Sequence, residues 1–369
     1  MSILSDFWNE FQVCLFPRLE SVLEEPITEK LKQFIRIVDV VGIEKYVASP
    51  FVQWMGRKQS DRRPIARAFL AKAVYNLPTT ELLLEMLQLQ PTLRRLCGFE
   101  YRRDIPSAAT FSRAFADFAQ AGLGDRVHEA LVKEHVGEKV VMHISRDATE
   151  VLAREKPARK VKADTEPEPK LKRKRGRPKK GEHVPPKEPT RMVKQLGQTA
   201  EEAIAELPRL CNVGSKKDSK GNRHRWTGWK THIDWADGGI PLNVLTTSAS
   251  LHDSQVAIPM ARVTARRVIS LYDLMDSAYD ADPIHQVSRE LGHVALIDPN
   301  PRGGCCPPWD PDRLRRYNER TTAERGNSRL KDEFGLRHLR VRGHSKAHLH
   351  IMLGVLALFA DAMRQVFSG

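Results

Sequence analysis

The sequence has few cysteines and no long apolar segment. It contains only five cysteines in 369 residues, and none of them stands in the C-x-x-C spacing of a zinc ribbon. The longest uninterrupted apolar run, Ile351 to Ala360, is much shorter than the ~20 residues that cross a bilayer. The first residues have neither a basic start nor a small-residue cleavage site. These absences predict a cytoplasmic protein with no disulfide framework, no membrane span and no secretory signal.

Nucleotide-binding and hydrolase motifs are also missing. The sequence has no G-x-x-x-x-G-K-[ST], no G-x-G-x-x-G and no G-x-S-x-G. The first two patterns bind the phosphates of nucleotides, and the third presents a nucleophilic serine. We therefore expect no nucleotide cofactor and no serine-hydrolase chemistry.

Positive charge is abundant and localised. Lys and Arg number 60 against 46 Asp and Glu, which gives a net charge of +14. Two segments, 156–191 and 313–346, carry net charges of +9 and +7, so the remaining sequence is slightly acidic. Such concentrated charge is typical of a surface that follows DNA phosphates, whereas charge that serves solubility is mixed evenly.

The first basic segment has the composition of a flexible insertion. It holds 14 Lys or Arg, seven Pro and no aromatic residue, so it cannot bury enough apolar surface to offset the entropy of ordering. Its centre, KRKRGRPKK, resembles an AT-hook, in which Arg175 and Arg177 would enter the narrow minor groove of A·T-rich DNA. A generic polycationic linker explains the composition equally well. Both interpretations predict DNA binding.

Hydrophobic periodicity predicts an all-α region followed by a mixed α/β region. Residues 64–135 have helical spacing and are interpreted as four helices. The short apolar run at 140–144 is typical of a buried strand. Extended runs at 229–235 and 241–247, joined by Asp-Gly-Gly, predict a hairpin. The other predicted elements are strands at 268–274 and 294–297 and helices at 284–291, 312–333 and 345–367.

Two aspartates and one helix carry the candidate chemistry. Asp147 and Asp276 each follow a predicted strand, and α/β sheets usually place their sites at the carboxyl ends of strands. A turn or helix cap is an equally common role for such an aspartate. In the helix predicted at 312–333, four side chains fall within about 60° of one another: Tyr317, Arg320, Glu324 and Lys331. The alternative interpretation of this stripe is an ordinary exposed basic helix.

The stripe reads Y-x2-R-x3-E-x6-K and resembles the signature of bacterial insertion-sequence transposases of the DDE class. Other segments resemble the same family. DATEV from Asp147 looks like the first-aspartate strand, GWKTHIDW and HDS look like the middle strands, and MDSAYDA looks like the second-aspartate segment. The family usually has D-x-G-Y there, whereas this sequence has Ala278 in place of the glycine. The resemblance covers roughly residues 65–366 apart from the basic insertion.

This resemblance implies an α/β fold in which an RNase H-like mixed sheet is flanked by helices and preceded by an all-α N-terminal domain. It also implies that Asp147, Asp276 and Glu324 converge on two Mg²⁺ ions, with Mn²⁺ as a substitute. Magnesium prefers hard oxygen ligands, and two ions can activate the attacking oxygen and stabilise the leaving one. The implied phosphate contacts are Tyr317, Arg320 and Lys331.

The implied activity is that of a DNA transposase, which cleaves phosphodiester bonds at the ends of a mobile element and transfers the 3′-hydroxyl ends to target DNA. Its partner would be double-stranded DNA, bound by a homodimer on paired ends. Two alternatives are a metal-dependent nuclease without strand transfer and a non-catalytic DNA-binding protein derived from a transposase. The three carboxylates disfavour the latter. The predicted domains are a helical segment of unknown role at 1–60, a helical DNA-binding domain at 61–136, and an RNase H-like catalytic domain at 137–369 that the insertion at 156–191 interrupts.

Overall fold

The computed structural model describes residues 27–48, 60–137, 139–158, 188–217, 221–300 and 308–367. The AT-hook arginines Arg175 and Arg177 lie outside the described residues, as does part of the predicted N-terminal segment. The chain divides into two compact units. We call them the helical unit, which consists of Met1–Leu131, Ser328–Arg340 and Ser345–Gly369, and the sheet unit, which consists of Val132–Asn327 and Val341–His344.

Local capping signals define the helices of the helical unit. The Thr28 hydroxyl accepts a hydrogen bond from the Leu31 N–H at the start of the first helix, and Gly42 ends that helix with a φ of 47°. Pro91 starts a new helix directly after Gln90, so residues 63–135 form five helices rather than the predicted four. The helices are α1 (Glu29–Val41), α2 (Arg63–Val74), α3 (Thr80–Leu89), α4 (Pro91–Cys97), α5 (Ala108–Gln120) and α6 (Leu123–His135).

Aromatic residues and the C-terminal helix fill the core of the helical unit. The Phe69 ring packs edge-to-face against Phe111 and Phe115, with centroids 5.5 and 4.9 Å away. The last helix, α13 (His344–Phe367), is apolar enough over His344–Met363 to pass for a membrane span by composition alone. In the structure 78% of that window is buried. It is therefore a core helix of the folded protein.

The described residues of the sheet unit form six strands in one mixed sheet. Five of them follow the order β4-β3-β1-β5-β6: β1 pairs antiparallel with β3 and parallel with β5, β3 pairs antiparallel with β4, and β5 pairs parallel with β6. β2 pairs only with residues 223–228 of β3. The strands are β1 (Val140–Leu152), β2 (Asn212–Lys217), β3 (Arg223–Ala236), β4 (Ile240–Ser248), β5 (Ile269–Met275) and β6 (Val294–Ile297). With its flanking helices, this sheet confirms the predicted RNase H-like fold class.

Two sequence predictions for the strands are corrected. The predicted hairpin is present, since β3 and β4 are joined at Asp237–Gly239 with Gly238 at a φ of 77°. However, β1 does not end at Asp147 but continues to Leu152, because β3 pairs with it as far as Leu152 after the pairing with β5 has stopped at Ser145. β2 was not predicted, because its sequence NVGSKK has one large apolar residue and no alternation.

Helices connect the parallel strands of the sheet. α9 connects β4 to β5 and α10 connects β5 to β6, as parallel strands require. The predicted helix at 312–333 is two helices, interrupted at Glu319 and Arg320. The helices of this unit are α7 (Arg191–Leu196), α8 (Ala200–Ala205), α9 (Ser254–Arg267), α10 (Asp282–Glu290), α11 (Pro311–Asn318) and α12 (Thr321–Asp332).

Candidate active site

Asp147 and Asp276 lie side by side at the end of the parallel ladder. The last paired residues of β1 and β5 are Ser145 and Leu274, and each aspartate follows two residues later. The backbone of Asp276 remains extended, with φ −77° and ψ 174°. Neighbouring strands are about 4.8 Å apart, and residues in register point to the same face. The fold therefore brings the two predicted strand-end carboxylates together.

The site combines burial with repulsion between these carboxylates. Burial raises the pKa of Asp147 to about 6; the N–H of Ala148 lowers it, Asp276 raises it, and the cations Lys216 and Arg320 lower it. Burial likewise raises the pKa of Asp276, against the hydrogen bond from the Ala278 N–H and the charge of Arg320. Two adjacent carboxylates with raised pKa values favour the binding of a cation.

The junction of α11 and α12 lies over the same face of β1. Ser145 Oγ donates a hydrogen bond to the Glu319 carbonyl oxygen at 3.5 Å. Short turns carry the chain through the junction. The N–H of Arg320 donates a hydrogen bond to the Tyr317 carbonyl oxygen at 2.9 Å, and the N–H of Ala323 donates one to the Arg320 carbonyl oxygen at 3.0 Å. These are i to i−3 bonds, tighter than those of an α-helix. They keep Tyr317, Arg320 and Glu324 close although the two helices are separate.

Arg320 links the predicted stripe to the carboxylates. Its guanidinium donates a hydrogen bond to Glu324 Oε1 at 2.8 Å and lies 5.8 Å from the centroid of the Tyr317 ring. Burial lowers the pKa of Arg320, but Tyr317, Glu324, Asp147 and Asp276 raise it, and the net direction is upward. Arg320 thus interacts electrostatically with all three predicted catalytic carboxylates. Lys331, the last residue of the stripe, lies two turns after Glu324 on α12, in the part assigned to the helical unit.

Asn327 is a site residue that the sequence analysis missed. Its amide Nδ2 donates a hydrogen bond to Asp147 Oδ2 at 2.9 Å, and its side chain is buried. Asn327 lies three residues after Glu324 on α12, so the two side chains share a helix face. This three-residue spacing from Glu324 is the sequence feature that could have identified Asn327 as a site residue. This contact fixes the orientation of the Asp147 carboxylate.

A glycine lets α12 approach the sheet closely. A Cβ atom on Gly326 would lie 2.6 Å from the Trp235 ring of β3, so only glycine fits without displacement of one of them. Trp235 is completely buried. This close packing holds the helix that carries Glu324 and Asn327 against the strands that carry the aspartates.

The opposite face of β1 is held by a buried ion pair. Arg146 Nε and Nη2 donate hydrogen bonds to the two carboxylate oxygens of Asp234 at 2.7 and 3.0 Å, and both side chains are buried. A bidentate pair of this kind has strict geometry. It ties β1 to β3 at the residue next to Asp147 and so fixes the position of that strand.

The three predicted carboxylates differ in their surroundings. Asp147 and Asp276 form the inner pair, whereas the Glu324 side chain is 57% exposed and is held by Arg320. Within the described ranges, no group of three or more His, Cys, Asp or Glu side chains has the arrangement of a metal site. Convergence of all three carboxylates on metal remains a prediction.

Two family models match the chain. One, described as a transposase DDE domain, matches residues 205–360, and the other, described as a transposase domain (DUF772), matches residues 21–117. Both matches support a DNA transposase of the DDE class, although neither alone spans half of the chain. The DDE match contains Asp276 and Glu324 but begins after Asp147 and the basic insertion. No curated protein and no solved structure matches the chain.

The two matches support a coarse function. A DDE transposase binds DNA, acts on its phosphodiester bonds and generally depends on divalent metal ions. The sequence motifs resemble this same class of insertion-sequence transposases. A DNA substrate also agrees with the localised positive charge of the chain. The buried α13 is compatible with a soluble DNA-acting protein.

Proposed function

We propose that this transposase cleaves phosphodiester bonds at the ends of a mobile element and joins the freed 3′-hydroxyls to target DNA, with Asp147, Asp276 and Glu324 as the catalytic carboxylates. The observation that carries the proposal is the shared register of Asp147 and Asp276 beside Arg320. Mutual repulsion destabilises a pair of half-buried carboxylates, and a bound cation would relieve it.

The side chains present fit a divalent cation. Asp147 and Asp276 offer hard carboxylate oxygens, and burial raises the pKa of both, so that a bound cation would stabilise their charged forms. Mg²⁺ is the ion that this donor set favours, and Mn²⁺ would substitute. When bound, the ions would activate the attacking oxygen and stabilise the leaving one. Glu324 would complete the ligand set after release from Arg320.

The remaining residues would orient DNA and the carboxylates. Arg320 would bind the scissile phosphate through its planar fork, and Lys331 would contact phosphate as a point charge. Tyr317 packs against Arg320 and would limit the directions in which the guanidinium can point. Asn327 would keep Asp147 in one rotamer through the hydrogen bond described above.

Further elements of the proposal rest on the resemblance and on composition. The helical region at 61–136 would bind DNA, and the insertion with Arg175 and Arg177 would add contacts to it. Two ends are joined in one reaction, so a homodimer on paired ends in the cytoplasm is the assembly we propose.

The direct test supplies a duplex made from the DNA that flanks the reading frame. We expect Mg²⁺-dependent cleavage, and joining of a pre-cleaved 3′-hydroxyl end to a plasmid. Asp147→Asn, Asp276→Asn and Glu324→Gln should abolish both steps and leave DNA binding intact. Cleavage without joining would identify a nuclease, and loss of binding in all three variants would reject a catalytic role.

A further inference from the structure

Two arginines of α11 lie against aromatic rings. The guanidinium carbon of Arg316 lies 4.6 Å from the centroid of the Tyr272 ring, and that of Arg313 lies 5.1 Å from the centroid of the Trp309 ring. Arginine packs on aromatic faces because the ring quadrupole attracts its planar, weakly hydrated cation. We call Arg313 and Arg316 the α11 arginine pair.

The charge of the α11 arginine pair is not neutralised by an ion pair. Among the described residues, both guanidinium groups contact aromatic rings and neither is paired with a carboxylate. Arg315 on the same helix is instead bound to Asp312 at 3.0 Å. At 100° per residue, Arg313 and Arg316 are about 60° apart, whereas Arg315 is about 160° from Arg313. One side of α11 therefore presents two unneutralised cations.

Tyr272 places Arg316 over the sheet face that carries the candidate active site. Tyr272 lies on β5 and Asp276 follows that strand in extended conformation, so side chains four residues apart point to the same face. At about 3.3 Å per residue the two are about 13 Å apart along the strand. The Tyr272 ring also stacks on His143 of β1, with centroids 5.5 Å apart. Arg316 is therefore beside the carboxylates, towards the start of β5.

Arg313 is connected to the same site through a second set of rings. Trp309 packs edge-to-face against Tyr317, with centroids 4.6 Å apart, and Tyr317 packs against Arg320. Contacts thus run from Arg313 through two rings to Arg320. Because the rings restrict both arginines of the pair, less side-chain freedom is lost when they bind a ligand. Such ordered cations beside the site suit a polyanion that extends away from it.

We propose that Arg313 and Arg316 bind backbone phosphates of the DNA duplex near the scissile bond and so hold the duplex along α11. The inference rests on the proposed function, because it assigns substrate contacts next to the same site. Each strand of DNA advances about 3.4 Å per nucleotide along the helix axis. A separation of about 13 Å therefore puts the Arg316 contact within about four nucleotides of the scissile bond. The planar guanidinium suits this role because its fork binds two phosphate oxygens.

The first test measures binding of Arg313→Gln, Arg316→Gln and Arg315→Gln to the flank-derived duplex across salt concentrations in EDTA. Glutamine removes the charge but keeps a planar amide that can pack on a ring. We expect Arg313→Gln and Arg316→Gln each to lower the log–log slope by about 0.9 and the affinity by about 10-fold. Arg315→Gln removes an equal charge from another side of α11 and should leave the slope nearly unchanged. Equal slopes in the three variants would overturn the inference.

A charge-retaining variant separates binding from packing. Arg316→Lys should keep the wild-type salt slope, because a lysine also neutralises one phosphate. A slope as low as that of Arg316→Gln would show that Arg316 acts through the packing of α11 on Tyr272, and this result would contradict the inference. Thermal unfolding of each variant without DNA checks the fold.

A phosphate-specific readout identifies the contact. A neutral methylphosphonate replaces single phosphates of the duplex in turn, and binding is measured for wild type and Arg316→Gln. At the contacted phosphate the two losses should not add, because each change removes the same interaction. Losses that add at every phosphate would reject a direct contact.

Mg²⁺-dependent cleavage separates this inference from the proposed function. Once the cleaved bond is mapped, the phosphate coupled to Arg316 should lie within about four nucleotides of it. A coupled phosphate farther away would reject the inference and leave the proposed function intact. A wild type that binds the duplex but does not cleave it would reject the proposed function, while the salt slopes and the phosphate coupling would still decide whether the α11 arginine pair binds DNA.

Discussion

Asp147 and Asp276 occupy equivalent positions beside each other, each two residues beyond the last pair, Ser145 and Leu274, of the parallel ladder between β1 and β5. Their carboxylates are therefore neighbours because of the strand register, not because of a flexible loop. The arrangement places like charges together in a half-buried setting, where repulsion and desolvation both disfavour ionisation. Stability and activity should consequently respond in opposite directions to the removal of one charge.

Asp147→Asn should stabilise the metal-free protein at neutral pH but not near pH 3. The folded pKa of Asp147 is about 6, above the ordinary value of 3.8. Between these values the folded carboxyl binds more protons than the unfolded one, so the free energy of unfolding falls as the pH rises through this window. Above pH 6 the charged carboxylate costs the fold about 1–2 kcal/mol. The Asn variant lacks that cost.

Thermal unfolding of both proteins in EDTA from pH 3 to 8 measures the difference. Asp312→Asn is the control, because Asp312 is exposed on α11 and pairs with the exposed Arg315; it should leave the pH trend unchanged. A difference in Tm between wild type and Asp147→Asn that does not vary with pH would contradict the electrostatic explanation.

Asn327→Ala should slow cleavage while the protein still binds DNA. The variant removes the hydrogen bond that orients Asp147, and loss of such supporting contacts at metal sites typically costs 10–100-fold in metal affinity or activity. Mg²⁺ titrations of the cleavage rate check this expectation. Ser328→Ala, which alters the adjacent exposed side chain on α12, is the matched control. Equal rates in the two variants would show that Asn327 has no positioning role.

Gly326→Ala should destabilise the protein by about 1–3 kcal/mol, because the new methyl group would overlap the buried Trp235 ring. An alanine normally stabilises a helix relative to glycine by about 1 kcal/mol, so a net loss would report the clash. Urea unfolding of Gly326→Ala and Ser328→Ala measures both effects. A stabilised Gly326→Ala would mean that α12 is not packed this closely.

The sequence identified the two aspartates because each follows an apolar run, and that pattern needs no knowledge of the fold. Their shared register required the pairing of β1 with β5, which are about 130 residues apart in the chain and whose alignment no local pattern reports. The break between α11 and α12 was missed because neither glycine nor proline marks Glu319.

Arg320→Ala should reduce cleavage by about 100-fold with a smaller loss of DNA affinity. Arg320 acts on all three carboxylates and contacts Glu324 directly, so its charge is located where negative charge develops. Arg315→Ala removes an equal charge from an exposed position paired with Asp312. Single-turnover rates at saturating DNA and excess Mg²⁺ compare the two. If they match, the stripe is an ordinary basic surface.

Arg175 and Arg177 should matter more for A·T-rich DNA than for G·C-rich DNA if the insertion acts as an AT-hook. In that motif the two arginines enter the narrow minor groove, whereas a polycationic linker interacts with phosphates regardless of sequence. The double variant Arg175→Gln/Arg177→Gln should therefore lose the preference for A·T-rich duplexes. Lys172→Gln/Lys179→Gln removes the same charge from the flanks of the same nine residues and should lower affinity for both duplexes alike. Binding measured across salt concentrations separates the two mechanisms, because each lost phosphate contact lowers the log–log slope by about 0.9. Identical behaviour of the two double variants would establish the linker interpretation and exclude the AT-hook.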